Sequence, residues 1–244
     1  MKAIILAAGL GKRLASVTGG LPKCLVPVAG RTILDRMIER LVQAGLDDIV
    51  VVTGHRSEEV ERHLDRSEQP AARRAARVFN PRYADWGNFY SKLVAETAVG
   101  DDGFVALDGD VVMDATLLPR LLAAPGPIAL AVERRAGLGA EEMKVRVDER
   151  GRAVELNKRM DPAVALGEFV GVERVDREMT VEVFATLRSL IERGETGEYY
   201  ERAYELLMQR GAPVGVADIT GCRWGEIDDA ADLARAGSLV AGMS

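Results

Sequence analysis

Short apolar runs alternate with helix-period segments over the first 133 residues, and this alternation restricts the fold more than any other feature. Lys2–Leu6, Asp48–Thr53, Val78–Phe79, Phe104–Leu107 and Ile128–Val132 read as buried strands. Between them, Ile33, Leu34, Met37, Ile38, Leu41 and Val42 recur at helical spacing up to Gly45, and Ser57–Leu64, Asn88–Ala98 and Ala115–Ala123 read as further helices. Such spacing suits βαβ crossovers, so it predicts an α/β fold with a doubly wound, mainly parallel, Rossmann-like sheet. After Glu133 the rhythm changes. Lys144–Val147 and Ala153–Leu156 flank Asp148-Glu149-Arg150-Gly151 as a β-hairpin. Helices at Val181–Arg193 and Tyr199–Gln209, strands at Val214–Ala217 and Trp224–Ile227, and a helix from Asp229 complete the expected order.

With 244 residues, 48% hydrophobic and 29% charged, the chain can bury one large core, and no internal repeat divides it. The longest linker-like stretch, Ser67–Arg74, is short. A net charge of −6 argues against a nucleic-acid surface, and the pairs Arg73-Arg74 and Arg134-Arg135 read as solvated faces. No apolar run approaches the ~20 residues of a membrane span. The first one, Ala3–Ala8, is broken by Gly9-Leu10-Gly11-Lys12-Arg13 and is not a signal peptide. A cytoplasmic setting without a membrane is expected. Cys24 and Cys222 read as small hydrophobes, and His55 and His63 as solvated groups in or beside a polar helix.

Leu6-Ala7-Ala8-Gly9-Leu10-Gly11-Lys12-Arg13 leaves the first strand as a loop of small residues carrying two cations, and Lys23 after Pro22 adds a third. Small residues let backbone N–H groups come close to a polyphosphate. The loop lacks the third glycine of a dinucleotide fingerprint and the Gly-Lys-Ser/Thr ending of a Walker loop. Two acidic sites stand further on. Asp108-Gly109-Asp110 falls where a buried strand ends, the edge at which open α/β sheets bind ligands. Glu226-Ile227-Asp228 comes late, where Asp228 could bind a cation or cap the last helix, a duty Asp229 could equally take.

The strand, the Leu-Ala-Ala-Gly-x-Gly-x-Arg loop and the following Pro-Lys together resemble the signature of the sugar-phosphate and phospho-alcohol nucleotidyltransferase superfamily. The resemblance implies that Gly9, Gly11 and Arg13 contact a triphosphate, with Leu6, Ala7, Ala8 and Lys12 in the same loop. It also implies that Lys23 serves the α-phosphate, that Asp110 and Asp228 jointly hold Mg²⁺, and that Asp108 assists. Arg13, Lys23 and Asp110 would be the catalytic set. The implied reaction is in-line displacement at the α-phosphorus by an anionic oxygen, releasing pyrophosphate, with metal and cations neutralising charge.

Asn80-Pro81-Arg82-Tyr83 and Asn88-Phe89-Tyr90-Ser91, with Gly194–Glu201, look like the branch of cytidylyltransferases acting on phosphocholine, phosphonates such as 2-aminoethylphosphonate, and inositol phosphate. There Asn88 and Ser91 would line the nucleotide and acceptor site. The tyrosines lie in two stretches, Tyr83 and Tyr90 beside Trp86, and Tyr199, Tyr200 and Tyr204 among Glu198, Glu201 and Glu205. Rings beside carboxylates suit a cationic head group; Tyr200 and Tyr204, four apart, could equally pack a helix face. Trp86, Tyr90, Lys144, Lys158, Glu168, Tyr199, Tyr200 and Glu201 are the candidate acceptor residues. Lys158, just past the hairpin, is better placed than Lys144 to reach an acceptor phosphate.

The expected protein is thus a single nucleotidyltransferase domain: a nucleotide-binding core at 1–133, a β-hairpin and helical acceptor-binding part at 134–220, and a closing strand and helix at 221–244. CTP is the expected donor, or another NTP, with a small phosphorylated or phosphonate acceptor and a homodimer left open. Alternatives are an inositol-1-phosphate acceptor, a sugar-1-phosphate nucleotidylyltransferase, for which the usual Gly-Gly or Gly-Leu pair is missing, and a non-catalytic nucleotide-binding relative, against which the intact Arg13, Lys23, Asp110 and Asp228 argue.

Overall fold

A computed structural model describes residues 1–243. Its strands are β1 (Lys2–Ala7), β2 (Pro27–Val28), β3 (Arg31–Thr32), β4 (Ile49–Thr53), β5 (Ala76–Phe79), β6 (Phe104–Asp108), β7 (Val111–Met113), β8 (Ile128–Glu133), β9 (Lys144–Val147), β10 (Ala153–Asn157), β11 (Gly167–Val175), β12 (Val214–Asp218) and β13 (Trp224–Glu226). The helices are α1 (Ala15–Thr18), α2 (Ile33–Gln43), α3 (Ser57–Arg66), α4 (Pro70–Arg74), α5 (Phe89–Val94), α6 (Glu96–Val99), α7 (Leu117–Ala123), α8 (Arg177–Glu192), α9 (Glu201–Gln209) and α10 (Ala230–Ala241). Nine strands form one sheet in the order β5-β4-β1-β6-β11-β8-β12-β10-β9.

The apolar run of β1 suits a central strand covered on both faces. Its alternation sends Ala3 and Ile5 to a core shared with Met37, Ile38 and Leu41 of α2. Ile4 and Leu6 turn to the opposite core, with Phe89 of α5, Phe184 of α8 and Tyr204 of α9. α2 starts where the Thr32 side chain accepts a hydrogen bond from the Asp35 backbone N–H and ends before Gly45, at φ +80°.

The sheet is parallel from β5 through β6 and again at β8 and β12. It is mixed because β11 runs antiparallel between β6 and β8, and because β10 pairs antiparallel with β12 and β9. β11 is the main element that sequence periodicity misses. Its segment, Gly-Glu-Phe-Val-Gly-Val-Glu-Arg-Val, carries three charges, yet every residue is buried. Arg174 donates to the carbonyls of Leu122 and Ala124, at 2.7 and 3.1 Å, and Glu173 pairs with Lys92, so partners inside the protein replace water. Residues 134–220 therefore supply a central strand of the sheet rather than an appendage to it. Ser67–Arg74 also departs from the linker expected, because α4 buries Ala71 and Ala72. Cys24 and Cys222 are buried, as expected, but His63 is no free surface group: its Nε2 lies 3.0 Å from the Asp35 carboxylate. Among the described residues no helix is long and apolar enough to cross a membrane.

Candidate active site

β1 and β6 are parallel neighbours, with Leu6 opposite Asp108, so the loops after both strands open at one edge of the sheet. In the first loop Gly11 sits at φ +58°, and a Cβ there would lie 3.2 Å from Lys23 Cγ. Glycine thus gives both the left-handed turn and the close approach of Lys23. Lys23 begins a short 3₁₀ turn, Lys23–Leu25. Its Nζ donates to Asp110 Oδ2 at 2.8 Å and also to Asp228 Oδ1, while Arg13 Nη2 lies 2.8 Å from Asp228 Oδ2.

Two short pairings bring these distant residues together. β13 runs antiparallel to β7, with Glu226 opposite Val111, and the Ile227 N–H donates to the Asp110 carbonyl at 3.1 Å. Asp229 is the N-cap of α10, accepting from the Ala231 and Asp232 N–H groups and forming a capping box with Asp232. Asp228 is left free for the cations. Burial opposes the charge on Lys23, yet Asp110 and Asp228 outweigh it and raise its pKa. The nearby Glu226 carboxyl is pushed up to about 8 by burial and then by Asp110 and Asp228.

Two carboxylates converging on one ammonium fit a divalent cation, since Nζ already marks a point that both can reach. Among the described residues no group of three or more His, Cys, Asp or Glu could hold a metal on its own. A cation at this point would have two protein carboxylates and would complete its shell with water or phosphate oxygens, the arrangement Mg²⁺ favours.

Beside this cluster lies a cavity of about 300 Å³, and the structure places most of the sequence-predicted residues on its walls. Leu6, Ala8, Gly9 and Arg13 of the glycine loop line it, with Trp86, Asn88 and Ser91, and with Asp108, Lys158, Glu168, Tyr199 and Glu201. Ala7, Gly11 and Lys23 border a small recess behind the loop. Lys12 borders a shallow surface hollow with Trp86 and Tyr199. Tyr90 stands behind Trp86, edge-on at 4.8 Å, and does not line the cavity.

Lys144 and Tyr200 do not reach the cavity. Lys144 is 1% exposed, and its ammonium donates to the carbonyls of Glu142 and Lys158 at 3.1 and 2.7 Å, so it has no reach toward an acceptor phosphate. Tyr200 is also 1% exposed: its hydroxyl donates to Asp108 Oδ2 at 3.2 Å, and Lys92 Nζ lies 3.2 Å from its ring centroid. An internal lysine occupies the cation–π position expected for a ligand, and Tyr204 is likewise buried in the helix face.

The acidic residues have unequal surroundings. Asp108 is raised well above the ordinary carboxyl range by burial and then by Glu201, Asp110 and Glu173. Glu168 is held 2.6 Å from Arg135 Nη2, yet burial outweighs that pairing and pushes its pKa up to about 7. Glu201, 6% exposed, is pushed up to about 7 by burial, and among the described residues its Oε2 has no hydrogen-bond partner. Arg135, read from sequence as a solvated face, is exposed, and through its pairing with Glu168 it borders the pocket next to this cavity. Asn80 and Glu226 also line the cavity. The Asn80 position lies inside the Asn-x-x-Tyr segment and was legible there; Arg135 had no sequence signal, because its partner sits on the unrecognised strand β11.

The fold is the nucleotidyltransferase fold. The inositol-1-phosphate CTP transferase from T. maritima superposes with a TM-score of 0.77 at 26% identity, over 100% of this chain and 97% of that one. The CTP:phosphocholine cytidylyltransferase from Streptococcus pneumoniae superposes with a TM-score of 0.81 at 22% identity, over 98% of each chain, which supports the fold alone. Within that class the chain belongs to the MobA-like NTP transferase domain family, whose model matches residues 3–170. It is 32% identical over 246 residues to the CMP-5'-(3-aminopropyl)phosphonate synthase of Streptomyces rubellomurinus (strain ATCC 31215), covering 97% of this chain and 38% of that protein. It is 37% identical over 108 residues to the choline-phosphate cytidylyltransferase of Streptococcus pneumoniae (strain ATCC BAA-255 / R6), covering 44% of each. The chain spans between 38% and 52% of the first three curated relatives it matches.

Proposed function

We propose that this protein is a CTP-dependent cytidylyltransferase that transfers CMP to a small phosphorylated alcohol or phosphonate and releases pyrophosphate. The carrying observation is the convergence of Arg13, Lys23, Asp110 and Asp228 beside the glycine loop. Similarity to proteins named for CMP transfer to a phosphonate and to choline phosphate supports cytidine as the nucleoside.

In this reading Leu6, Ala7, Ala8, Gly9 and Gly11 shape the loop against the triphosphate, and Lys12 and Arg13 supply positive charge to it. Lys23 turns from its carboxylates to the α-phosphate. An acceptor oxyanion attacks the α-phosphorus as the bond to the bridging oxygen of the β-phosphate breaks, and pyrophosphate leaves with that electron pair. The acceptor oxygen is already anionic near neutrality, so no protein base is required, and cations at the phosphorus lower the barrier. Mg²⁺ held by Asp110 and Asp228 would supply Lewis-acid polarisation of the phosphate oxygens. Residues 1–133 bind the nucleotide, 134–220 carry most acceptor contacts, and 221–244 bring Asp228 to the site.

Glu201 points to an acceptor with a cationic head. The residue lines the cavity, and an ammonium bound there would pair with its carboxylate. Tyr199, 48% exposed, Trp86, Lys158 and Glu168 line the same cavity. The test is pyrophosphate release from each common NTP against 2-aminoethylphosphonate, 3-aminopropylphosphonate, phosphocholine, inositol-1-phosphate and glucose-1-phosphate. Turnover confined to CTP with an amine-bearing acceptor is expected. Turnover of glucose-1-phosphate with UTP would overturn the reading.

A further inference from the structure

The glycine loop is crossed at its neck by one residue outside the reaction scheme. The backbone N–H of His55 donates to the Ala8 carbonyl at 3.1 Å. The His55 ring places Nε2 3.2 Å from the Gly20 carbonyl, an oxygen that can only accept, so Nε2 carries the hydrogen and donates. Entry and exit of the loop are thus tied to the same residue, as in an Ω-loop whose ends are held close. Two features of the turn after β4 serve this crossing. A Cβ on Gly54 would lie 2.7 Å from the Ala8 carbonyl oxygen, so glycine lets the turn come this close. Arg56 takes up a left-handed backbone at φ +49°, uncommon for a residue with a side chain, and its Nη1 donates to the Gly19 carbonyl at 3.2 Å. His55, read from sequence as a solvated group, is half-buried, with its ring centroid 6.3 Å from that of Tyr83 on the cavity wall.

Between these ties the loop has little to hold it. α1 is a single four-residue turn, too short to be stable by itself. Leu14 is fully buried and anchors its start. The remaining bonds run in series: the Gly20 N–H donates to the Ala15 carbonyl at 3.2 Å, and the Ala15 N–H to the Lys12 carbonyl at 3.4 Å. Slack at Gly20 is therefore passed to Lys12 and Arg13, which are both exposed.

We infer that His55 is a positioning residue for the nucleotide: its clasp on Gly20 keeps the loop folded before a triphosphate arrives. The inference rests on the reading of this loop as the triphosphate site. Without the clasp, the folded loop is a smaller fraction of the free protein, and the apparent affinity for a triphosphate falls by that fraction. The bound complex is unchanged, because the phosphates then hold the loop themselves. One hydrogen bond of this kind shifts such an equilibrium by about fivefold.

The measurement is the affinity of the full-length protein for CTP and for CMP by calorimetry with Mg²⁺, in wild type, His55→Ala, His55→Asn and His55→Gln. His55→Ala should bind CTP about fivefold more weakly. Its affinity for CMP, which lacks the β- and γ-phosphates, and its kcat at saturating CTP should match wild type. His55→Gln, whose amide nitrogen reaches as far as Nε2, should recover the affinity, and His55→Asn, too short to reach, should behave as His55→Ala. Trypsin should nick His55→Ala after Lys12 and Arg13 faster than wild type, and CTP should suppress the difference. Unchanged CTP affinity in His55→Ala, equal losses for CTP and CMP, or a His55→Gln protein as weak as His55→Ala would each overturn the inference and leave the proposed activity intact. A wild type that binds CTP no better than CMP would overturn that activity, and the nicking rates without nucleotide would still decide whether His55 clasps the loop. Melting within a few degrees of wild type identifies the variants whose losses arise at the loop.

Discussion

At the residue scale, Asp228 and Asp229 divide two duties that sequence alone cannot separate. Asp229 accepts from the backbone of α10, whereas the Asp228 carboxylate faces the side chains of Lys23 and Arg13. Asp229→Ala should therefore lower stability by about 1 kcal/mol in urea unfolding, the usual effect of losing an N-cap. Asp228→Asn should unfold close to wild type while its rate of pyrophosphate release falls about 10²-fold or more, as for loss of one charge-stabilising group. An Asp229→Ala protein as inactive as Asp228→Asn would show that the division is wrong. Glu201 makes a further residue-scale prediction. Burial holds its pKa up to about 7, and only the ionised carboxylate attracts an ammonium. The KM for an aminoalkylphosphonate should then fall as pH rises through about 7, and Glu201→Gln should remove that dependence. A KM profile identical in the variant would exclude Glu201 from the acceptor site.

At the element scale, β11 carries most of what the sequence conceals. Gly171 lies in its middle at φ +68°, and a Cβ there would come within 2.5 Å of Asp108 Oδ2. Gly171→Ala combines a left-handed backbone with a steric conflict, so it should destabilise the protein by about 1–3 kcal/mol in urea and also displace Asp108. Stability equal to wild type would mean that the strand tolerates a side chain beside Asp108. The apolar runs of β1, β4, β6 and β8 are legible because covered parallel strands need little but Val, Ile, Leu and Ala. β11 is covered too, but Glu168, Glu173 and Arg174 interrupt its pattern, and their partners come from α5, from the loop after β8 and from carbonyls at the C-terminal end of α7 and just beyond it. Compensation by distant groups leaves no local mark. The candidate site shows the same asymmetry. Gly9, Gly11, Arg13, Lys23 and Asp110 stand in local motifs and can be read, whereas Lys144 and Tyr200 have suitable chemistry but face inward, and orientation is a property of packing.

For the whole molecule, the seam of the sheet between β6 and β11 is closed from one side by a buried charged cluster. Lys92 of α5 bonds to Glu173 of β11, and the Tyr204 hydroxyl of α9 lies 3.3 Å from the same carboxylate. Glu201 is close enough to raise Asp108, and Glu173 raises both, so one ammonium stands among three carboxyl groups. All three carboxyls have folded pKa values above the ordinary range, Glu201 at about 7, with burial the leading cause in each. The folded state therefore holds protons that the unfolded chain has already released above pH ~4.5. Protons bound preferentially by the folded state make stability fall as pH rises, so the unfolding midpoint in urea should decrease between pH 5 and 8. Asp114 and Asp218 have lowered values and contribute in the opposite sense, but only below the ordinary carboxyl range, outside that window. Removing the one cation leaves Glu173 buried without its partner. Lys92→Met should cost about 3–5 kcal/mol at neutral pH, the typical effect of breaking a buried pair, and less at pH 5, where Glu173 can take a proton. Lys92→Met combined with Glu173→Leu should recover much of the loss, because the uncompensated charge is gone. Equal destabilisation of the single variant at both pH values, with no recovery in the double, would show that Lys92 acts by its packing and not by its charge.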